Sequence, residues 1–141
     1  MNLRQVEIAR ETGLSEMTIC RRLRALDRTN SAICDFDAVA VFASQDLESA
    51  GMPGHTAIDL LAEFSSELRW LTAKPSRQCW LVFAQSERAQ FTAAAISASH
   101  LASLVAAFPM SRVLPLHEIV HRAQERLIAV KAHLARQGEA A

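Results

Sequence analysis

The sequence predicts a predominantly helical α+β fold, in which a small helical head precedes a small α/β body. Two short amphipathic helices are expected near the N-terminus, because apolar residues recur at helical spacing on either side of Gly13. Short β-rich runs then alternate with longer helical patterns, which is typical of a mixed α/β unit. Half of the 141 residues are apolar, which is enough for a packed core. An all-α fold is the alternative if the β-rich runs are helical.

The head and the body are expected to span residues 1–30 and residues 35–137. Residues 27–37 contain Asp, Thr, Asn and Ser and are typical of a connector. The body begins with an apolar run at 38–43, which predicts either a short buried strand or a third helix capped by Asp35. The later patterns predict, in order, a helix at 56–72, a strand at 78–84, a helix at 92–108, a strand at 112–116 and a helix at 117–136.

The two helices of the head are predicted from their caps. The first would occupy residues 4–12 and end at Gly13, since glycine adopts the left-handed conformation of a helix C-terminus at least cost. Ser15 would cap the second helix by accepting a hydrogen bond from the amide of Thr18 or its neighbour. Glu16 in the first turn suits the positive end of the helix dipole.

The second helix is expected to be amphipathic. Apolar side chains recur at Ile19, Leu23 and Leu26 and predict a buried face. The alternative interpretation is an ordinary helical hairpin with a solvated arginine face. The side chains expected on the opposite, open face are those of Met17, Thr18, Arg21, Arg22 and Arg24.

Residues 3–26 also follow one motif. It begins with Leu-x-Gln-x-Glu-Ile-Ala and continues, three residues later, with Gly, an aliphatic residue and Ser. After two further residues come Thr and Ile, and then Arg and Leu, each preceded by one variable residue. The matching residues are Leu3, Gln5, Glu7, Ile8, Ala9, Gly13, Leu14, Ser15, Thr18, Ile19, Arg21 and Leu23. This segment resembles the helix-turn-helix of bacterial repressors and resolvase-type recombinases. The resemblance implies that residues 15–26, starting at Ser15, bind double-stranded DNA in the major groove. It implies base-edge contacts for Glu16, Met17 and Arg21 and phosphate contacts for Thr18, Arg22 and Arg24.

Helix-turn-helix domains usually have a third helix that closes their small core. Residues after 28, or another chain, are expected to supply this helix. Homodimerisation by residues 35–136 is expected as well, because a single two-helix head makes too small a DNA contact for useful affinity.

The formal net charge of zero conceals a strong segregation of charge along the chain. Residues 1–28 carry a net charge of +2, residues 29–68 carry −7 with no Lys or Arg, and residues 69–141 carry +5. Phosphate would repel the acidic segment. This segment is therefore expected to face away from DNA, to meet the basic C-terminal part of the same or a partner chain, or simply to be solvated.

Cysteine usage and hydropathy indicate the compartment. Cys20, Cys34 and Cys79 are odd in number and form no CxxC pair, which favours a reducing cytosol over a disulfide framework. No signal peptide is visible, and no apolar run reaches the roughly 18 residues of a membrane span. The protein is expected in the cytoplasm, without a membrane partner.

The motif HExxH occurs at His117 to His121. In metallopeptidases it places two zinc ligands on one helix face, and Glu118 would polarise the metal-bound water. The extension to a third histidine is missing, because Gln124 and Leu127 occupy its positions. Ordinary histidines are the preferred interpretation, so that no metal or other cofactor is expected, with zinc as the alternative.

These patterns predict a sequence-specific DNA-binding protein of bacterial or mobile-element origin, most simply a transcriptional regulator and not an enzyme. No glycine-rich phosphate loop and no GxSxG motif is present. The alternatives are a zinc-dependent metallopeptidase and a protein-interaction module whose head binds a partner helix.

Overall fold

The computed structural model describes residues 2–28 and 32–140, which form seven α-helices and three β-strands. The helices are α1 (Gln5–Thr12), α2 (Glu16–Ala25), α3 (Asp35–Ser49), α4 (Gly54–Glu63), α5 (Ser65–Ala73), α6 (Ala98–Ala107) and α7 (Leu116–Ala140). The strands are β1 (Trp80–Gln85), β2 (Gln90–Ala95) and β3 (Arg112–Pro115). The predominantly helical α+β fold is thereby confirmed, and the all-α alternative is wrong. Residues 29–31 of the predicted connector lie outside the described residues.

The two helices of the head form as predicted from their sequence signals. Gly13 has a φ of 74°, and its amide donates to the carbonyl of Ala9. This left-handed conformation ends α1 and turns the chain toward α2. Ile8 and Ile19 are fully buried, one on each helix.

The apolar run at 38–43 belongs to helix α3, so the helical alternative is the correct one. All six of its side chains are buried, which is why no polar stripe marks a helical period in the sequence. The N-cap is Cys34 and not Asp35, and Asp37 accepts a hydrogen bond from the amide of Cys34. Helix α3 packs against α1 and α2 and therefore supplies the third helix of the head from the same chain.

The helix predicted at 56–72 is two helices, α4 and α5. They are separated by Phe64, whose φ of −102° and ψ of 31° depart from helical values. The side chain of Phe64 is buried, so the chain bends where that ring enters the core.

The three strands form an antiparallel sheet in the order β2-β1-β3. The strands predicted at 78–84 and 112–116 are confirmed as β1 and β3. The helix predicted at 92–108 is wrong in its first part, where β2 pairs with β1 before α6 begins. Ala93, Ala94 and Ala95 favour a helix by intrinsic propensity, and pairing with β1 overrides that preference.

A single hydrophobic cluster contains side chains of both predicted units. Ile8 and Ile19 of the head belong to it together with Phe42 of α3 and Val120 of α7, and all four are fully buried. The division into head and body stays a prediction, but the two parts share this core. In the described part of the chain, no helix has the length and apolar character that crossing a bilayer requires.

Candidate nucleic-acid interface

The N-terminus of α2 is fixed by two side chains. The Ser15 hydroxyl accepts a hydrogen bond of 3.1 Å from the amide of Thr18, as predicted, and lies 2.9 Å from the Thr18 hydroxyl. From α1, Nε2 of Gln5 donates to the carbonyl of Glu16 at 2.6 Å. The first turn of α2 is thus held both by its own cap and by the preceding helix.

One face of α2 is open to solvent. Apart from Ala25, its exposed side chains are those of Glu16, Met17, Cys20, Arg21 and Arg24. They follow the spacing i, i+1, i+4, i+5 and i+8, which is one side of a helix. Met17 is 64% exposed, and Nη2 of Arg21 lies 3.5 Å from its sulfur atom, so the two side chains form one surface.

Three residues of α2 differ from the predicted arrangement, and Thr18 and Cys20 are the first two. Thr18 is half-buried, because its hydroxyl faces the Ser15 cap. Cys20, which was not predicted to lie on the open face, is exposed between Met17 and Arg24. Its spacing from Met17 and Arg24 was the available signal that it shares their face.

Arg22 is a correction to the predicted face, because its side chain points into the protein. It is 5% exposed, and it donates to the Ser44 hydroxyl at 2.8 Å and to Oε2 of Glu48 at 2.9 Å. A guanidinium can be buried at modest cost only when a carboxylate and further acceptors surround it. Arg22 therefore anchors α2 on α3 and is not available to a phosphate.

Gly54 at the start of α4 makes room for this ion pair. A Cβ atom at this position would lie 2.7 Å from Nη2 of Arg22 and closer still to Oε2 of Glu48. The close approach of backbone to the ion pair explains why glycine stands here although its φ is unremarkable.

The C-terminus of α1 is held by side chains of the body. Arg126 of α7 donates to the carbonyl of Glu11 at 3.0 Å and to Oε1 of Gln45 at 2.7 Å. Gln45 in turn donates to the carbonyl of Thr12. These donors satisfy the free carbonyl groups of a helix end, where a cation is also favoured by the helix dipole.

Three carboxylates of the acidic segment pair with basic residues of the same chain. Glu48 pairs with Arg22, and Asp35 accepts from Nζ of Lys131 at 2.7 Å. Asp37 is nearly fully buried and pairs with Nε of Arg28 at 3.0 Å; this contact raises the pKa of Arg28. The acidic segment therefore meets both the head and the C-terminal helix, which agrees with one of the predicted arrangements.

The HExxH residues lie in the first turns of α7. The Nδ1 atom of His117 is 2.9 Å from the carbonyl oxygen and 3.2 Å from the amide of Cys79, and its ring packs edge-on against Trp80. The rings of His117 and His121 are 6.4 Å apart, and Nε2 of His121 is buried without a hydrogen-bond partner. Among residues 2–28 and 32–140, no group of three His, Cys, Asp or Glu side chains is placed to hold a metal ion. The zinc alternative thus lacks a third ligand there.

The three cysteines have different environments. Cys20 is exposed, Cys34 is half-buried and Cys79 is fully buried. Burial, together with the negative charge of Glu67, raises the pKa of the Cys79 thiol to about 11. This thiol therefore stays protonated and unreactive at neutral pH.

Comparison with protein-family models gives no match to this chain, and comparison with curated proteins gives no similar sequence.

Proposed function

We propose that this protein binds duplex DNA sequence-specifically and acts as a transcriptional regulator, with α2 as the recognition helix in the major groove. The observation that carries the proposal is the two-sided character of α2. Ile19, Arg22 and Leu23 bury one side in the core, while Met17 and Arg21 remain exposed on the other. A helix anchored in this way presents a rigid polar surface of the width that a major groove accepts.

The exposed residues have distinct roles in this proposal. The Arg21 guanidinium donates two parallel hydrogen bonds to a guanine edge, and Glu16 and Met17 contact neighbouring base edges. Arg24, one turn from Arg21, meets phosphate, and the Ser15–Thr18 pair lies at the N-terminus of α2, where a phosphate is favoured. Arg22 sets the position of the helix through its ion pair and makes no DNA contact.

A homodimer supplies the second recognition helix, and α6 is its contact surface. Helix α6 contains no Asp, Glu, Lys or Arg, and none of its residues is buried, although it carries apolar side chains such as Leu101 and Val105. A twofold interface brings identical surfaces together, so an uncharged face avoids the repulsion that a charged one would meet. Val105 in α6 and Ile96, which precedes α6, are exposed in the single chain. We place this dimer in the cytoplasm, where reduced cysteines are maintained.

Selection of bound sequences from a random duplex library tests the proposal directly. The full chain should enrich an inverted repeat whose half-sites lie about 10 base pairs apart or a multiple of this. Fluorescence anisotropy with the enriched duplex should show that log Kd rises linearly with log salt concentration. A scrambled duplex of equal length is the control. Absence of enrichment together with absence of binding at low salt would refute the proposal, and equal affinity for both duplexes would refute sequence specificity.

A further inference from the structure

A groove of about 840 Å³ lies between the C-terminal end of α3 and one side of the sheet. The register of the sheet explains its position. Leu81 of β1 is fully buried, Phe83 is half-buried and Gln85 is exposed. The burial of this side of the sheet therefore decreases along β1 toward Gln85. Phe83 lies directly opposite Thr92 of β2 and Arg112 of β3. Side chains directly opposite each other in a sheet point to the same face, and these three therefore form one row in the groove.

The lining of the groove combines an apolar floor with one charge. Leu47 and Met52 line it from the side of α3, and Phe83 and Leu114 line it from the sheet. Arg112 is the single charged residue of the lining. Within residues 2–28 and 32–140, its side chain takes part in no ion pair. No carboxylate is present in this lining, so no negative charge there offsets the positive electrostatic potential of the guanidinium.

We propose that this groove binds a small organic anion with an apolar body, such as an aliphatic carboxylate. The guanidinium of Arg112 matches a carboxylate in shape and charge and donates strong, charge-assisted hydrogen bonds to it. The hydroxyl of Thr92 and the amide of Gln90 add polar groups beside Phe83. The apolar body of the ligand moves from water onto the surface of Phe83 and Met52. The free energy of this transfer is favourable in proportion to the apolar area that is removed from water. An inorganic anion has no apolar body and would not gain this free energy.

The groove adjoins the anchor of the recognition helix. Leu47 lines the groove, and the next residue of α3, Glu48, pairs with Arg22 of α2. An occupant therefore contacts the same helical turn that holds α2 in place. On the basis of the proposed DNA binding, occupancy of the groove changes the affinity for DNA, because it alters the position of this turn.

Decanoate is the probe for the groove, and decan-1-ol, a neutral alcohol of the same chain length, is the control ligand without the charge. In ¹⁵N-labelled full-length protein, decanoate should shift amide signals of Phe83, Thr92 and Arg112 saturably. Calorimetry should show at least about tenfold weaker decanoate binding to Arg112→Gln than to the wild type, since one charge-assisted contact is lost. Arg88→Gln, in the turn between β1 and β2, is the matched control and should bind as the wild type does.

Several outcomes decide the proposal. Arg112→Gln should bind decanoate and decan-1-ol with similar affinities, whereas the wild type should prefer decanoate. Absence of saturable shifts, or equal decanoate affinity of Arg112→Gln and Arg88→Gln, overturns the anion site, whatever the result with DNA. Decanoate that binds the wild type without changing its Kd for the selected duplex overturns the coupling. Because Arg112 and Arg88 are both exposed, circular dichroism should show that both variants fold.

Discussion

Nη2 of Arg22 lies 2.9 Å from Oε2 of Glu48, and the Arg22 side chain is far more buried than that of Glu48. The two partners are therefore not equivalent. Loss of Glu48 leaves a buried guanidinium without its counter-charge, whereas loss of Arg22 leaves a carboxylate that water already reaches.

This asymmetry predicts the order of two substitutions. Glu48→Ala should lower the free energy of unfolding by about 2 kcal/mol, and Arg22→Met, which keeps the apolar stem, should lower it less. Urea unfolding followed by circular dichroism measures both, with Glu63→Ala on the exposed side of α4 as the control. An effect of Glu48→Ala no larger than that of Glu63→Ala would contradict the structural role of the ion pair.

Gly54 is expected to be coupled energetically to the same ion pair. Gly54→Ala should destabilise the protein by about 1 kcal/mol, because its methyl group displaces Glu48 from Arg22. In the Glu48→Ala background the methyl group has more room, so the additional cost should be smaller. A double-mutant cycle measured by urea unfolding gives this coupling. Strictly additive effects would show that Gly54 acts independently of the pair.

Arg21 and Arg24 should differ in their effects on DNA binding. Arg21→Ala should cost about 1–3 kcal/mol on the preferred duplex and relax the preference at one base position. Arg24→Ala should weaken binding to all duplexes alike and reduce the salt slope by about one. Anisotropy titrations against a panel of single-base variants separate these outcomes, with Arg88→Ala as the control. If both variants bind the preferred duplex as the wild type does, the assigned face of α2 is wrong.

Because α6 contains no Asp, Glu, Lys or Arg, it predicts the effect of a new charge. Val105→Glu would place two carboxylates close together across a twofold interface, and so it should shift the protein to monomers. Sedimentation velocity measures this shift. Ile128→Glu on α7 introduces the same charge at another exposed apolar position and should leave the dimer intact. Dissociation by Ile128→Glu and not by Val105→Glu would assign the interface to α7.

The raised pKa of Cys79 predicts a pH dependence of stability. The thiol ionises near pH 9 in the unfolded chain and near pH 11 in the folded protein. Between these values the unfolded state loses a proton that the folded state keeps, so the free energy of unfolding falls as pH rises. Urea unfolding at several pH values should show a shallower decline for Cys79→Ala than for the wild type. Cys20→Ala, at an exposed position, should retain the wild-type slope.

Local signals in the sequence predicted the two N-terminal helices and their caps, whereas they could not predict contacts between residues far apart in the chain. Gly13 and Ser15 act on adjacent backbone groups, so their roles follow from residue type and position. The burial of Arg22 depends on Ser44 and Glu48 of another helix, and an arginine next to Arg21 gives no local indication of it. Intrinsic propensity also misled at residues 93–95, where pairing with β1 decides the structure.

The shared core of the N-terminal helices and α3 has a practical consequence for protein engineering. A chimera that receives only residues 1–30 would lack Ser44 and Glu48. The guanidinium of Arg22 would then be without these two partners. To transplant α2 in its native orientation, the excised fragment has to extend through α3 and include Gly54. On the basis of the proposed DNA binding, a change of target specificity would need only substitutions of the solvent-facing side chains of α2, made in place.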